Sequence, residues 1–129
     1  MGLVPDAERA VLASHLERLV GRIGGRPQAR IHGDLQPEHV LVDPRTGTVV
    51  AFLDFADSCF ADPLFEVACL SMLDRALEEP FLRGLGIAAD RALLDGYRCL
   101  RLLMAATWLV EHDHPAHAAT MMGALRETI

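Results

Sequence analysis

The residues with the most chemistry to offer lie in "IHGDLQPEHVLVD" (Ile31–Asp43) and just beyond it. His32, Gly33 and Asp34 head the stretch, His39 precedes a short apolar run, and Asp54 closes a second run, "TVVAFLD". Two carboxylates and an imidazole brought together suit a reaction in which one carboxylate orients or deprotonates a nucleophile while the other holds a divalent cation. Phosphoryl transfer divides its labour in this way. An aspartate before a strand and another after one also serve as caps and turn residues, so spacing alone leaves both roles open.

For these groups to meet, the chain between them must fold back. "HVLV" and "TVVAFLD" are apolar runs separated by "DPRTG", and Asp-Pro followed by Gly predicts a five-residue hairpin loop. With Val42 and Thr48 flanking that loop, antiparallel register sets position 36 opposite position 54, to within about two residues. Asp34 and Asp54 then share the open end of the hairpin, with His39 close by.

The surrounding elements are helical. Residues 7–23 carry Val11, Leu12, Leu16, Leu19, Val20 and Ile23 at helical spacing, with Asp6 as the expected N-cap and Gly24-Gly25 as the stop. A short strand follows at Ala29–Ile31. Beyond the hairpin the pattern predicts a helix from Pro63 to Leu77, a Gly-broken connector "EPFLRGLG", a helix capped by Asp90 running to about Glu111, and a last helix from Pro115. The expected fold class is α+β, mainly helical, a single domain over residues 1–129 with one β-hairpin.

Composition narrows the function classes. The chain has 129 residues, 51% of them hydrophobic, and a formal charge of -6, which disfavours nucleic acid and anionic membrane as partners. All 12 basic residues are Arg; there is no Lys and no Asn. Cys59, Cys69 and Cys99 are odd in number and widely spaced, and no signal peptide opens the chain, so a reduced, cytoplasmic protein is expected. "LLMAATWLV" falls well short of a membrane span and predicts a buried helix, with Leu103, Met104 and Trp108 in the core.

The stretch "HGDLQPEHVLVDPRTGTVVAFLDFADSCFADPLFEVA" (His32–Ala68) resembles the aminoglycoside phosphotransferase family, which has a protein-kinase-like fold and includes choline-kinase-like enzymes. The family signature is HGD, four variable positions and an Asn, a short hairpin ending in Ile/Leu-Asp-Trp/Phe, then Gly-Asp-Pro. The resemblance implies the C-terminal lobe of that fold, and a kinase passing the γ-phosphate of ATP or GTP, with Mg²⁺ or Mn²⁺, to a small-molecule hydroxyl such as that of an aminoglycoside, hence a role in antibiotic resistance. It further implies Asp34 as the catalytic aspartate, Asp54 as metal ligand, His32 as support of the loop and Asp62 as its brace. Asp57 faces solvent or reaches the metal or substrate. Glu66, with Asp74 and Glu78, either binds a cationic substrate or forms a solvated helix face.

His39 stands where the family usually has a metal-binding Asn. An imidazole suits Mn²⁺ or Zn²⁺ better than Mg²⁺. The family's nucleotide lobe, with its flexible strand-loop-strand and its lysine, has no counterpart in a chain with no Lys and about 30 residues before the HGD. The chain is thus expected to be incomplete for catalysis alone and to bind no nucleotide by itself. Exposed apolar surface is expected where the missing N-terminal lobe, or a second copy in a homodimer, would dock. Two other functions fit the same residues: a kinase-like binding or regulatory module, and a metal-dependent phosphoester hydrolase. The histidines of "EHDHPAH" (His112, His114, His117) are expected at a solvated helix junction rather than on a metal.

Overall fold

The computed structural model describes residues 4–129. In chain order it contains α1 (Asp6–Ile23), β1 (Ala29–Ile31), a 3₁₀ turn (Pro37–His39), β2 (Val40–Val42), β3 (Val49–Phe52), β4 (Cys59–Ala61), α2 (Pro63–Leu70), a second 3₁₀ turn (Arg75–Leu77), α3 (Glu78–Leu85), α4 (Arg91–Glu111) and α5 (Pro115–Thr128). It is a mainly helical α+β chain, divided into two compact units: the N-terminal segment through Arg26 with Ala88–Ile129, and Pro27–Ile87.

The first unit is a helical layer in which α4 packs against both α1 and α5. Its buried residues follow helical periodicity: Leu12 and Leu19 on α1, Leu102 and Ala106 on α4, Ala118, Met122 and Leu125 on α5. Asp90 caps α4, its carboxylate accepting from the Leu93 N–H at 3.1 Å. Asp6 does not cap α1. It lies inside the first turn, after an extended Pro5 that offers no side-chain cap, because the proline's fixed φ already starts the helix one residue earlier. Met104 and Trp108 are exposed rather than in the core; Leu102 and Ala106 take the inward positions of that run, and the Trp108 ring stacks on His112 at 4.0 Å.

The second unit holds two small sheets instead of one hairpin. β2 and β3 pair antiparallel, Val40 with Phe52 and Leu41 with Ala51, then slip by one at a bulge so that Val42 faces Val49. The Asp43 N–H donates to the Thr48 carbonyl at 2.8 Å, closing the five-residue loop. β1 pairs antiparallel with β4, Ile31 opposite Cys59 and Ala29 opposite Ala61; the strand "CFA" is too short to show a periodicity.

The helix predicted over Pro63–Leu77 stops at Leu70. The Ser71 hydroxyl donates back to the Val67 carbonyl at 2.7 Å, and the Asp74 carboxylate takes the Ala76 N–H at 3.0 Å to start a new turn, so local side-chain bonds compete with helix continuation. The segment expected as a connector is helix α3. Pro80 falls in its first turn, where no intrahelical N–H is needed. Gly86, with φ of 68°, ends it: the Ile87 N–H returns to the Leu82 carbonyl at 3.1 Å.

Among the described residues no helix is long and apolar enough to cross a membrane.

Candidate active site

β1 delivers the chain into the loop His32–Gln36, and two groups from α2 hold that loop from beneath. The His32 and Gly33 N–H groups donate to the two carboxylate oxygens of Glu66, at 2.7 and 3.0 Å. The Cys69 thiol lies 3.8 Å from the Gly33 carbonyl as a weak donor. Glu66 is buried, which rules out the solvated-face alternative for this residue. Glu78 is buried too, 3.6 Å from the Arg75 guanidinium. Burial pushes the Cys69 thiol well above its ordinary value, with the nearby Glu66 charge adding to the effect and Cys59 after it.

Gly33 is there for a steric reason. Its φ is +86°, and a Cβ would stand 2.2 Å from the Asp57 carbonyl oxygen. Only glycine allows the loop to come this close to the segment after β3. Asp57 thus meets the loop through its main chain, while its side chain belongs to an exposed residue.

The His32 ring joins the same two segments. Its Nε2 lies 2.6 Å from the Leu53 carbonyl, and its Nδ1 lies 3.3 Å from the Asp34 N–H. A carbonyl only accepts and an amide N–H only donates, so this ring is neutral with its proton on Nε2. Phe55 packs against it with ring centres 4.6 Å apart, and His39 stacks at 5.5 Å.

His39 is held at one ring nitrogen. Its Nδ1 lies 2.8 Å from the Asp34 carbonyl and must carry a proton, so the neutral tautomer that this contact selects has its lone pair on Nε2. The His39 carbonyl in turn accepts from the Leu53 N–H at 2.8 Å, so Leu53, the residue after β3, meets both histidines through its main chain. Asp34 is partly buried and accepts from the Gln36 amide at 3.0 Å.

Asp54 sits between Leu53 and Phe55, both of which touch His32. It is exposed and has φ of 60°, a left-handed conformation uncommon outside glycine. The register pairs 40 with 52, two residues from the predicted 36–54 alignment, and the bulge supplies one of them. Asp62 caps α2, its carboxylate accepting from the Leu64 N–H at 3.0 Å.

Among the described residues no three His, Cys, Asp or Glu side chains stand together as a metal-holding group. His32 and Glu66 also line a mostly apolar cavity of about 430 Å³, together with Ile31, Leu35, Phe52, Phe55, Phe81 and Leu85.

Sequence reasoning did not find the double grip of Glu66 or the approach of Asp57 to Gly33. Both engage main-chain groups, which no residue type advertises; the one available signal was a carboxylate in the first turn of a helix that begins "DP".

A family model described as the phosphotransferase enzyme family matches residues 3–103. No curated protein matches the chain. Among solved structures, the choline kinase LicA from Streptococcus pneumoniae superposes with a TM-score of 0.69 at 19% identity, over 98% of this chain and 50% of its own, a likeness of fold. A thermostable mutant of aminoglycoside phosphotransferase APH(4)-Ia, in ternary complex with AMP-PNP and hygromycin B, gives 0.64 at 26% identity over 98% and 46%. Aminoglycoside phosphotransferase APH(3'')-Id from Streptomyces rimosus gives 0.57 at 27% over 74% and 42%. The chain spans about half the length of these solved relatives or less.

Proposed function

Because the chain belongs to the phosphotransferase enzyme family, we propose that it supplies the catalytic-loop lobe of a small-molecule kinase, which transfers the γ-phosphoryl group of ATP or GTP to a hydroxyl acceptor such as an aminoglycoside. The observation that carries this reading is the clasp between residues 32–39 and 53–57: Glu66 holds the loop from below, His32 and Gly33 bind it to the segment bearing Asp54, and the tautomer of His39 is set by Asp34. Rigid mutual placement of this kind is what phosphoryl transfer asks of a protein, since positioning and charge stabilisation do most of the work.

In this proposal Asp34 orients the acceptor hydroxyl and takes its proton as the oxygen attacks phosphorus. His39 Nε2 and Asp54 would hold the divalent ion, which when bound neutralises charge on the nucleotide phosphates. Two protein donors suit an ion whose remaining ligands are phosphate and water oxygens, and the imidazole shifts preference toward Mn²⁺. His32, with both ring nitrogens committed to main-chain groups, positions the loop and exchanges no proton. The lysine that holds the α- and β-phosphates in such kinases lies outside these residues, in an N-terminal lobe that we place against the exposed apolar residues Leu41, Val42, Val49 and Phe52 of the hairpin.

The test is phosphoryl transfer from labelled ATP to a panel of aminoglycosides and choline-like alcohols, with Mg²⁺ or Mn²⁺. The chain alone is expected to be silent, and the chain joined to a nucleotide lobe to be active and abolished by Asp34→Asn. Acceptor binding without transfer in the joined protein would favour a binding module. Mn²⁺-dependent phosphoester hydrolysis by the chain alone, lost in Asp54→Ala, would favour a hydrolase.

A further inference from the structure

Within the helical unit, α1 and α4 enclose a groove of about 270 Å³ lined by His15, Arg18, Gly21, Arg22, Ala92 and Gly96. His15, Arg18 and Arg22 recur at i, i+3 and i+7, so they share one side of α1; Ala92 and Gly96, four apart, share one side of α4. The glycines differ in their reasons. At Gly96 a Cβ would stand 3.1 Å from the Leu19 side chain, so packing requires its smallness. At Gly21 nothing lies within 4 Å of where a Cβ would be, and a glycine inside a helix is destabilising relative to alanine. What Gly21 leaves behind is open space in the groove.

The charges around that space favour an anion. Arg18 donates to the neutral Ser14 hydroxyl at 2.5 Å, a contact that brings no opposing charge. Arg22 reaches both carboxylate oxygens of Asp90 only at 3.5 Å, and its side chain is 51% exposed, a loose pair that a better acceptor can displace. Asp90 is also committed to the Leu93 N–H, and Asp95, the next carboxylate on α4, is paired with Arg98 at 3.4 Å. In a chain of formal charge -6 this is a local concentration of cations, and arginine forks match the oxygens of phosphate two at a time.

We propose that the α1–α4 groove binds a compact, doubly charged oxyanion of the phosphate class, held by Arg18 and Arg22 with His15 at its edge. The site is built from a different compact unit than the catalytic loop and does not depend on the kinase reading. The test is calorimetric titration of the chain with inorganic phosphate and with phenyl phosphate, against sodium chloride at matched ionic strength. Saturable one-to-one binding is expected, weakened about tenfold in Arg18→Gln and again in Arg22→Gln, the loss of one charge-assisted contact each. Gly21→Glu, which places a carboxylate in the open space, is expected to abolish binding while its melting temperature stays at or above that of the parent. Tighter binding of phenyl phosphate identifies a phosphate ester as the ligand; equal binding identifies free phosphate. Absence of saturable binding, or binding unchanged in all three variants, would overturn the proposal.

Discussion

The Nδ1 nitrogen of His39 lies 2.8 Å from the main-chain carbonyl of Asp34, so the residue proposed as base also fixes the tautomer of the residue proposed to hold the metal. An imidazole oriented in this way presents Nε2 as a ready ligand. His39→Ala is expected to weaken Mn²⁺ binding by about 10- to 100-fold, read from the free Mn²⁺ signal in electron paramagnetic resonance. His39→Asn is expected to restore binding with Mg²⁺ favoured over Mn²⁺. Unchanged Mn²⁺ affinity in His39→Ala would remove His39 from the metal site.

Glu66 spends both carboxylate oxygens on the His32 and Gly33 amides. Glu66→Ala leaves two main-chain donors without their acceptor, at a cost of about 2–5 kcal/mol. The expected outcome is a lowered urea midpoint together with faster amide hydrogen exchange at His32 and Gly33. A loss of stability with those two amides still protected would mean that the grip is not what Glu66 contributes.

Gly33→Ala tests the approach to Asp57. The substitution meets both a left-handed backbone and a carbonyl oxygen 2.2 Å from the new Cβ, and about 2–4 kcal/mol of destabilisation is expected. Gly47→Ala, equally left-handed but with nothing within 4 Å, serves as the control and should cost only the backbone share.

The three thiols should separate by reactivity. Cys59 is exposed, whereas Cys69 and Cys99 are buried. Burial, followed by the Asp95 charge, pushes the Cys99 thiol up to about 11 from an ordinary 9.0. One equivalent of a thiol reagent is expected to react with the native chain at pH 8 and three after unfolding. The folded chain keeps the Cys99 proton where the unfolded chain loses it, so its contribution to stability is complete below pH 9.0 and falls as pH rises through about 11. Cys99→Ala should flatten that alkaline fall in a pH series of melting temperatures.

The parts of this architecture that could be anticipated were those whose signals are local. "DPRTG" is turn chemistry and specified the loop that the Asp43–Thr48 bond closes; Asp90 is cap chemistry and starts α4. Misplaced elements arose where two local signals compete. The apolar periodicity of α2 continues past Leu70, and only the hydrogen bonds of Ser71 and Asp74 end it. Gly84 and Gly86 look alike as helix breakers, yet only Gly86 has the left-handed backbone that ends α3. The strand "CFA" becomes a strand by pairing with β1, a partner 28 or more residues away. The clasp around the His32–Gln36 loop was illegible for the same reason: Glu66, Leu53 and Asp57 reach groups distant in sequence through contacts with the main chain.

Asp54 occupies a left-handed backbone position at φ of 60°, where most side chains cost about 1–2 kcal/mol that glycine would not, and aspartate less than most. The carboxylate proposed as metal ligand is therefore one that folding alone selects against. Asp54→Gly should melt a little higher than the parent, by roughly 0.5–1 kcal/mol after the entropy of glycine is counted, and lose metal-dependent function altogether. Screening this chain for thermal stability alone would enrich that substitution, so stability and activity have to be selected together at this position.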